Sequence, residues 1–70
     1  MKYVGVKEVL KAVENNEVKI VYVGDDAEVE VTKKLIELCN EKGIKIKHIE
    51  TMEELGRLAK IDVKSAAAAE

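Results

Sequence analysis

The chain contains no proline, no tryptophan and no phenylalanine, and its two tyrosines are its only aromatic residues. A core without large aromatics must be built from aliphatic side chains, and recognition by stacking bases along a row of rings is excluded. One cysteine, Cys39, can neither form an internal disulfide nor supply a zinc ligand set, so a reducing, cytoplasmic setting is expected. No apolar run approaches the roughly 18 residues needed to cross a bilayer, and Met1-Lys2-Tyr3-Val4-Gly5 does not open like a secretory signal. Neither membrane association nor export is therefore expected. An excess of positive charge is also missing. Twelve Lys and Arg stand against fourteen Asp and Glu, giving a net charge of −2, which argues against a generally basic nucleic-acid coat.

What is present is 47% hydrophobic and 37% charged residues in a length of 70, the profile of one small globular domain over residues 1–70. A fold of this size buries only about 60% of the surface its unfolded chain exposes, so its stability is modest or borrowed from a partner. Val6, Val9, Leu10 and Val13 fall on one stripe of a helix that Gly5 opens and Asn15-Asn16 close. Lys7 and Lys11, four residues apart on its wet face, project together with Glu8 beside them. Residues 18–23 are short and β-branched, as in a strand buried largely on both faces. Gly24-Asp25-Asp26 breaks that strand, and the carboxylates suit the start of a helix carrying Val31, Leu35, Leu38 and Cys39, with Gly43 as its left-handed cap. Residues 44–49 alternate at first and then lose the alternation at His48-Ile49, a sign of a sheet edge. Thr51-Met52-Glu53-Glu54 fits a capping box, followed by Leu55, Leu58 and Ala59 on the apolar side of a short helix. Ile61-Asp62-Val63 alternates like a last strand. Residues 65–69 are ambiguous between helix and strand, with a frayed strand the preferred reading. The order is that of an α/β fold with helices over a central sheet.

Enzymatic readings are weak. His48, the lone histidine, sits in a strand pattern and reads as a half-buried structural residue rather than a general base. Cys39 lies on an apolar stripe with no cation nearby to lower its pKa, so packing is its expected role. Asp25, Asp26, Glu28 and Glu30 lack the spacing of a calcium loop and read better as helix caps. Four glycines, at positions 5, 24, 43 and 56, never approach a phosphate-cradling loop. No metal or cofactor is expected. Positive charge is local: residues 25–41 hold six carboxylates against two lysines, whereas residues 42–50 hold three lysines against Glu50, and the first helix carries Lys7 and Lys11. At the start of that helix, Gly5 permits close backbone approach and free N–H groups lie beside two lysines, a combination that can hold a phosphodiester. The same residues also describe an ordinary turn and a solvated face, and composition by itself favours that plainer reading.

Four blocks, in order and spacing, resemble a known family. They are Gly5-Val6-Lys7-Glu8-Val9-Leu10-Lys11-Ala12, then Val21-Tyr22-Val23-Gly24-Asp25-Asp26-Ala27, then Leu38-Cys39, and Ile49-Glu50-Thr51-Met52-Glu53-Glu54-Leu55-Gly56. The likeness, over about residues 3–69, is to the kink-turn-binding ribosomal proteins, the archaeal large-subunit "L seven Ae" group, and particularly to its short bacterial ribosomal-protein-like members. It implies a three-layer α/β/α sandwich with a mixed central sheet of about four strands. It also implies a non-catalytic protein that reads kink-turn RNA, where tandem sheared G·A pairs expose guanine edges, with the ribosome as one setting for such RNA. By that resemblance Gly5 and Val6 bring backbone to the RNA, Lys7 faces a guanine edge, Glu8 accepts from guanine amino groups, and Lys11 engages guanine or a nearby phosphate. Asp26, with Asp25, braces the lysine side, and Ile49, Glu50, Thr51 and Met52 lie over the extruded nucleotide.

Two features depart from the family pattern. Val6 stands where threonine is usual, and Glu53-Glu54 stand where bacterial relatives tend to carry lysines, so affinity for RNA is expected to be reduced. The absence of a helix before Gly5, and of further apolar residues after Glu70, implies a thin outer layer and self-association. The RNA reading requires Lys7, Lys11 and Arg57 on one positive face. The alternative is a protein-interaction or dimerisation module on the same fold that has lost RNA binding.

Overall fold

The computed structural model describes residues 1–70. Its elements are β1 (Tyr3–Val4), α1 (Val6–Glu14), β2 (Ile20–Gly24), α2 (Val29–Lys42), β3 (Lys45–Ile49), α3 (Met52–Leu58) and β4 (Ala67–Ala69). The strands form one mixed sheet in the order β1-β4-β2-β3, with β2 parallel to β3 and β4 antiparallel to both β1 and β2. The expected α/β/α sandwich is therefore present. One sheet face packs Val21, Val23, Ala67 and Ala69 against Val9, Ala12 and Val13 of α1 and Leu35 and Cys39 of α2. The other face packs Ala68 and Ile49 against Leu55 and Ala59 from the α3 side, so two helices cover one face and one helix the other. Each fully buried leucine, Leu35 above and Leu55 below, contributes on the order of 1.5–3 kcal/mol by leaving water.

Several local expectations are corrected. Residues 61–63 are not a strand: they form part of the connection from α3, and Val63 is 68% exposed. The last strand is the alanine run, and far from fraying it is the interior strand beside β1 and β2, with Ala67, Ala68 and Ala69 fully buried. A methyl group on each face allows helices to close on both sides of that strand, where larger side chains would hold the layers apart. Within α2, Val31 points outward and Thr32 is buried in its place. Leu58 is likewise exposed on α3. The second strand starts at Ile20, later than the β-branched run suggests. The sheet edge inferred at His48-Ile49 is real, because β3 is the outermost strand. Gly43 ends α2 at φ 70° as anticipated, and the Lys42 ammonium then donates to the Glu14 carbonyl (3.2 Å) and Asn16 Oδ1 (2.9 Å), tying the carboxyl-terminal ends of α1 and α2 together.

Candidate nucleic-acid interface

The registers place Val4, Gly24, Ile49 and Ala67 at one end of the sheet, so α1, α2 and α3, which follow β1, β2 and β3, all begin at that end. Helix N-termini present unpaired backbone N–H groups and a positive dipole end, so this rim is predisposed to negative charge. The segment leading into β4 binds the three starts into one unit. Its Ser65 N–H donates to the Met52 carbonyl (3.0 Å), its Ala66 carbonyl accepts from Gly24 N–H (2.9 Å), and its Ala67 carbonyl accepts from Gly5 N–H (2.8 Å). Ser65 itself is buried, its hydroxyl donating to the Ala67 carbonyl at 2.7 Å.

At the start of α1, Gly5 occupies the cap position with φ 99°, a conformation that side-chain-bearing residues rarely adopt. It has no side chain with which to cap the helix. The first intrahelical bond runs from Val9 N–H to the Gly5 carbonyl (2.9 Å), leaving the N–H groups of Val6, Lys7 and Glu8 as the free donors of the first turn. Lys7 and Lys11 are exposed, and the two side-chain pairs within salt-bridge distance, His48–Asp25 and Arg57–Glu53, involve neither of them. Val6 is half-buried against the core, so its methyls hold the helix start down on the sheet.

The second part of the rim is a compact junction of the β2–α2 and β3–α3 loops. Gly24 meets Met52 so closely that a Cβ added there would lie 2.8 Å from Met52 Cγ. Asp25 N–H donates to the Ile49 carbonyl (2.8 Å), and Met52 N–H donates to Asp26 Oδ1 at 2.7 Å. Thr51 caps α3 by accepting from Glu54 N–H at 3.0 Å, as the capping box anticipates. The aspartates therefore do different work from that expected of them. Neither caps α2, whose cap is Glu28 without a side-chain bond, and neither braces Lys7 or Lys11. Asp26 caps α3 across the chain, and Asp25 accepts from His48 Nδ1 at 2.6 Å. His48 is consequently not a half-buried residue; its side chain is 58% exposed in that pair.

Among the other expected site residues, Ile49 buries its side chain in the core, so Glu50, Thr51 and Met52 supply the outer surface of the loop. Arg57 does not join Lys7 and Lys11: it belongs to α3, on the opposite sheet face from α1, and lies 3.9 Å from Glu53, so the three-residue positive face expected for RNA is not formed and the cationic part of the rim is reduced to Lys7 and Lys11. Cys39 is fully buried, and desolvation raises its thiol pKa. No group of three or more His, Cys, Asp or Glu residues is arranged to hold a metal ion. The residues that sequence reasoning missed are Gly24, Ser65, Ala66 and Ala67. They act mainly through backbone; Gly24 was readable only as a strand breaker, and the signal for the other three was the unusual run of small residues before Glu70.

The rim and the sandwich together define a small α/β protein with an uncapped helix start beside a pinned loop. The chain belongs to the ribosomal protein L7Ae/L30e/S12e/Gadd45 family, whose profile matches residues 3–70. It is 55% identical over 69 residues to the RNA-binding protein TTE2299 of Caldanaerobacter subterraneus subsp. tengcongensis, an alignment covering 99% of this chain and 84% of that protein. To the large ribosomal subunit protein eL8 of Halobacterium salinarum it is 44% identical over 66 residues, covering 93% of this chain and 55% of the relative. Among solved structures, the 15.5 kD RNA-binding protein of Giardia lamblia superposes with a TM-score of 0.87 at 28% identity, over 94% of this chain and 56% of that one. The chain thus spans little more than half the length of these last two proteins. No helix is long and apolar enough to cross a membrane.

Proposed function

We propose that the protein is a non-catalytic RNA-binding protein that recognises kink-turns through the rim where its three helices begin. The observation that carries this reading is the uncapped start of α1, with free N–H groups on Val6, Lys7 and Glu8 and two exposed lysines that form no salt bridge. Lysine donates to guanine O6 and N7, glutamate accepts from amino groups, and free helix N–H groups suit phosphate, so one short segment offers both donors and acceptors to guanine edges and phosphate. Glu50, Thr51 and Met52 stand on the loop pinned by Asp26 and take the unstacked nucleotide at the bend. With only Tyr3 and Tyr22 as aromatics, recognition rests on shape, phosphates and a few base edges. The ribosome is one place where such an RNA is met.

Titration of a kink-turn RNA, and of a copy in which the G·A pairs are replaced by Watson–Crick pairs, tests the proposal. Preference for the first is expected, and equal affinity for both overturns it. Lys7→Ala and Lys11→Ala are each expected to cost on the order of 1–3 kcal/mol if they engage base edges.

A further inference from the structure

A second surface lies along the outer side of the sheet. β3 has β2 on one side and no strand on the other, so alternate N–H and C=O groups of Lys45–Ile49 face outward unpaired. Beside it, on the α2 face, a cavity of about 330 Å³ opens between the end of β3 and the flank of α2. Val23, Ala27, Val29 and Ile36 supply its apolar lining, and Lys33, Glu37 and the Asp25–His48 pair its charged and polar one. Val29, one of its lining residues, is 68% exposed. The register sets Lys45 beside Ile20 and Lys47 beside Tyr22, so both exposed lysines project from the opposite face of the same edge.

We propose that the β3 edge docks an extended segment of a partner protein in which apolar and acidic residues alternate. A strand added to β3 would complete its outward hydrogen bonds, bring one apolar side chain beside His48 to the cavity, and direct acidic side chains on the other face at Lys45 and Lys47. Charge selects this occupant over a second copy of the chain: pairing two β3 edges would set lysines against lysines, which is unfavourable between neighbouring strands. The proposal uses neither the α1 start nor the loop over α3, and shares with the RNA rim only the Gly24–Asp25 junction that lines the cavity.

The test is an NMR titration of the isotope-labelled protein with a peptide of alternating valine and glutamate. Parallel titrations use a valine–lysine peptide and a copy of the acidic peptide N-methylated at alternate amides. The acidic peptide is expected to shift amides of residues 44–49 and of the α2 flank, the lysine peptide to bind more weakly, and N-methylation on the paired edge to abolish binding. Lys45→Glu combined with Lys47→Glu should weaken the acidic peptide roughly tenfold and improve the lysine peptide, as the loss of two cross-strand ion pairs implies. Val29→Glu should weaken the acidic peptide through the cavity side. All three substituted positions are exposed, and an unchanged far-ultraviolet spectrum checks that each variant folds. Absence of binding, indifference to N-methylation or to peptide charge, or β3 shifts produced by kink-turn RNA and not by the peptide would each overturn the proposal.

Discussion

Tyr22 donates its hydroxyl proton to Oε2 of Glu70, which follows the neighbouring strand β4, at 2.8 Å, and this bond exists only while the phenol is protonated. The carboxylate acceptor, with some desolvation and the repulsion between two negative charges, raises the phenol pKa above its ordinary value. A raised value means that the native state holds the proton more tightly than the unfolded chain does. The contribution to stability is therefore whole below the ordinary phenol pKa and is lost as pH rises through the raised one. In a Tyr3→Phe background, phenolate absorbance should report Tyr22 ionising above the ordinary value, and Glu70→Gln should bring the midpoint down. Cys39 gives a second residue-scale expectation. Its thiol is buried and its pKa raised, so alkylation in native buffer should proceed at the rate of unfolding and accelerate in urea; rapid labelling of folded protein would contradict the packing described here.

Between elements, the seating of α3 depends on a partner outside its own segment. Asp26 accepts from Met52 N–H, and Gly24 leaves just enough room for Met52 beside it. Asp26→Ala should cost about 1–2 kcal/mol in urea denaturation, the range for removing a helix cap, and should loosen residues 49–52 in hydrogen exchange. The helix boundaries were largely readable because apolar spacing, Thr51 and Gly43 mark them locally. The partner of Asp26 was not readable, since a carboxylate ahead of one helix gives no local sign that it caps another. The inner stripe of α2 was misread for a related reason. Val29 and Val31 alternate with Glu28 and Glu30, and only the packed neighbours decide that Thr32, rather than either valine, faces the sheet.

For the whole molecule, the division into two unequal core faces sets the response to truncation. Leu35→Ala, under α1 and α2, should cost about 2–5 kcal/mol, whereas Leu58→Ala on the exposed side of α3 should stay within roughly 0.5 kcal/mol; comparable denaturation midpoints for the two would refute the layer assignment. RNA affinity should fall as salt rises, and removing a lysine that contacts phosphate should reduce the slope of log K against log salt by about one. Because Arg57 is held on the α3 side by Glu53, Arg57→Ala should change kink-turn affinity less than Lys7→Ala or Lys11→Ala.

The element order, the single small domain, the aliphatic core and the pair of lysines opening the first helix follow from composition and periodicity, because these are local properties of the chain. Tertiary structure alone decided that the alanine run is the interior strand, that residues 61–63 are not a strand, and that one short segment joins all three helix starts. Each of these depends on pairings between residues far apart in sequence, Tyr3 with Ala69 and Val23 with Ala67, and small side chains, though compatible with the strand expected there, leave no periodic signal of its interior place in the sheet.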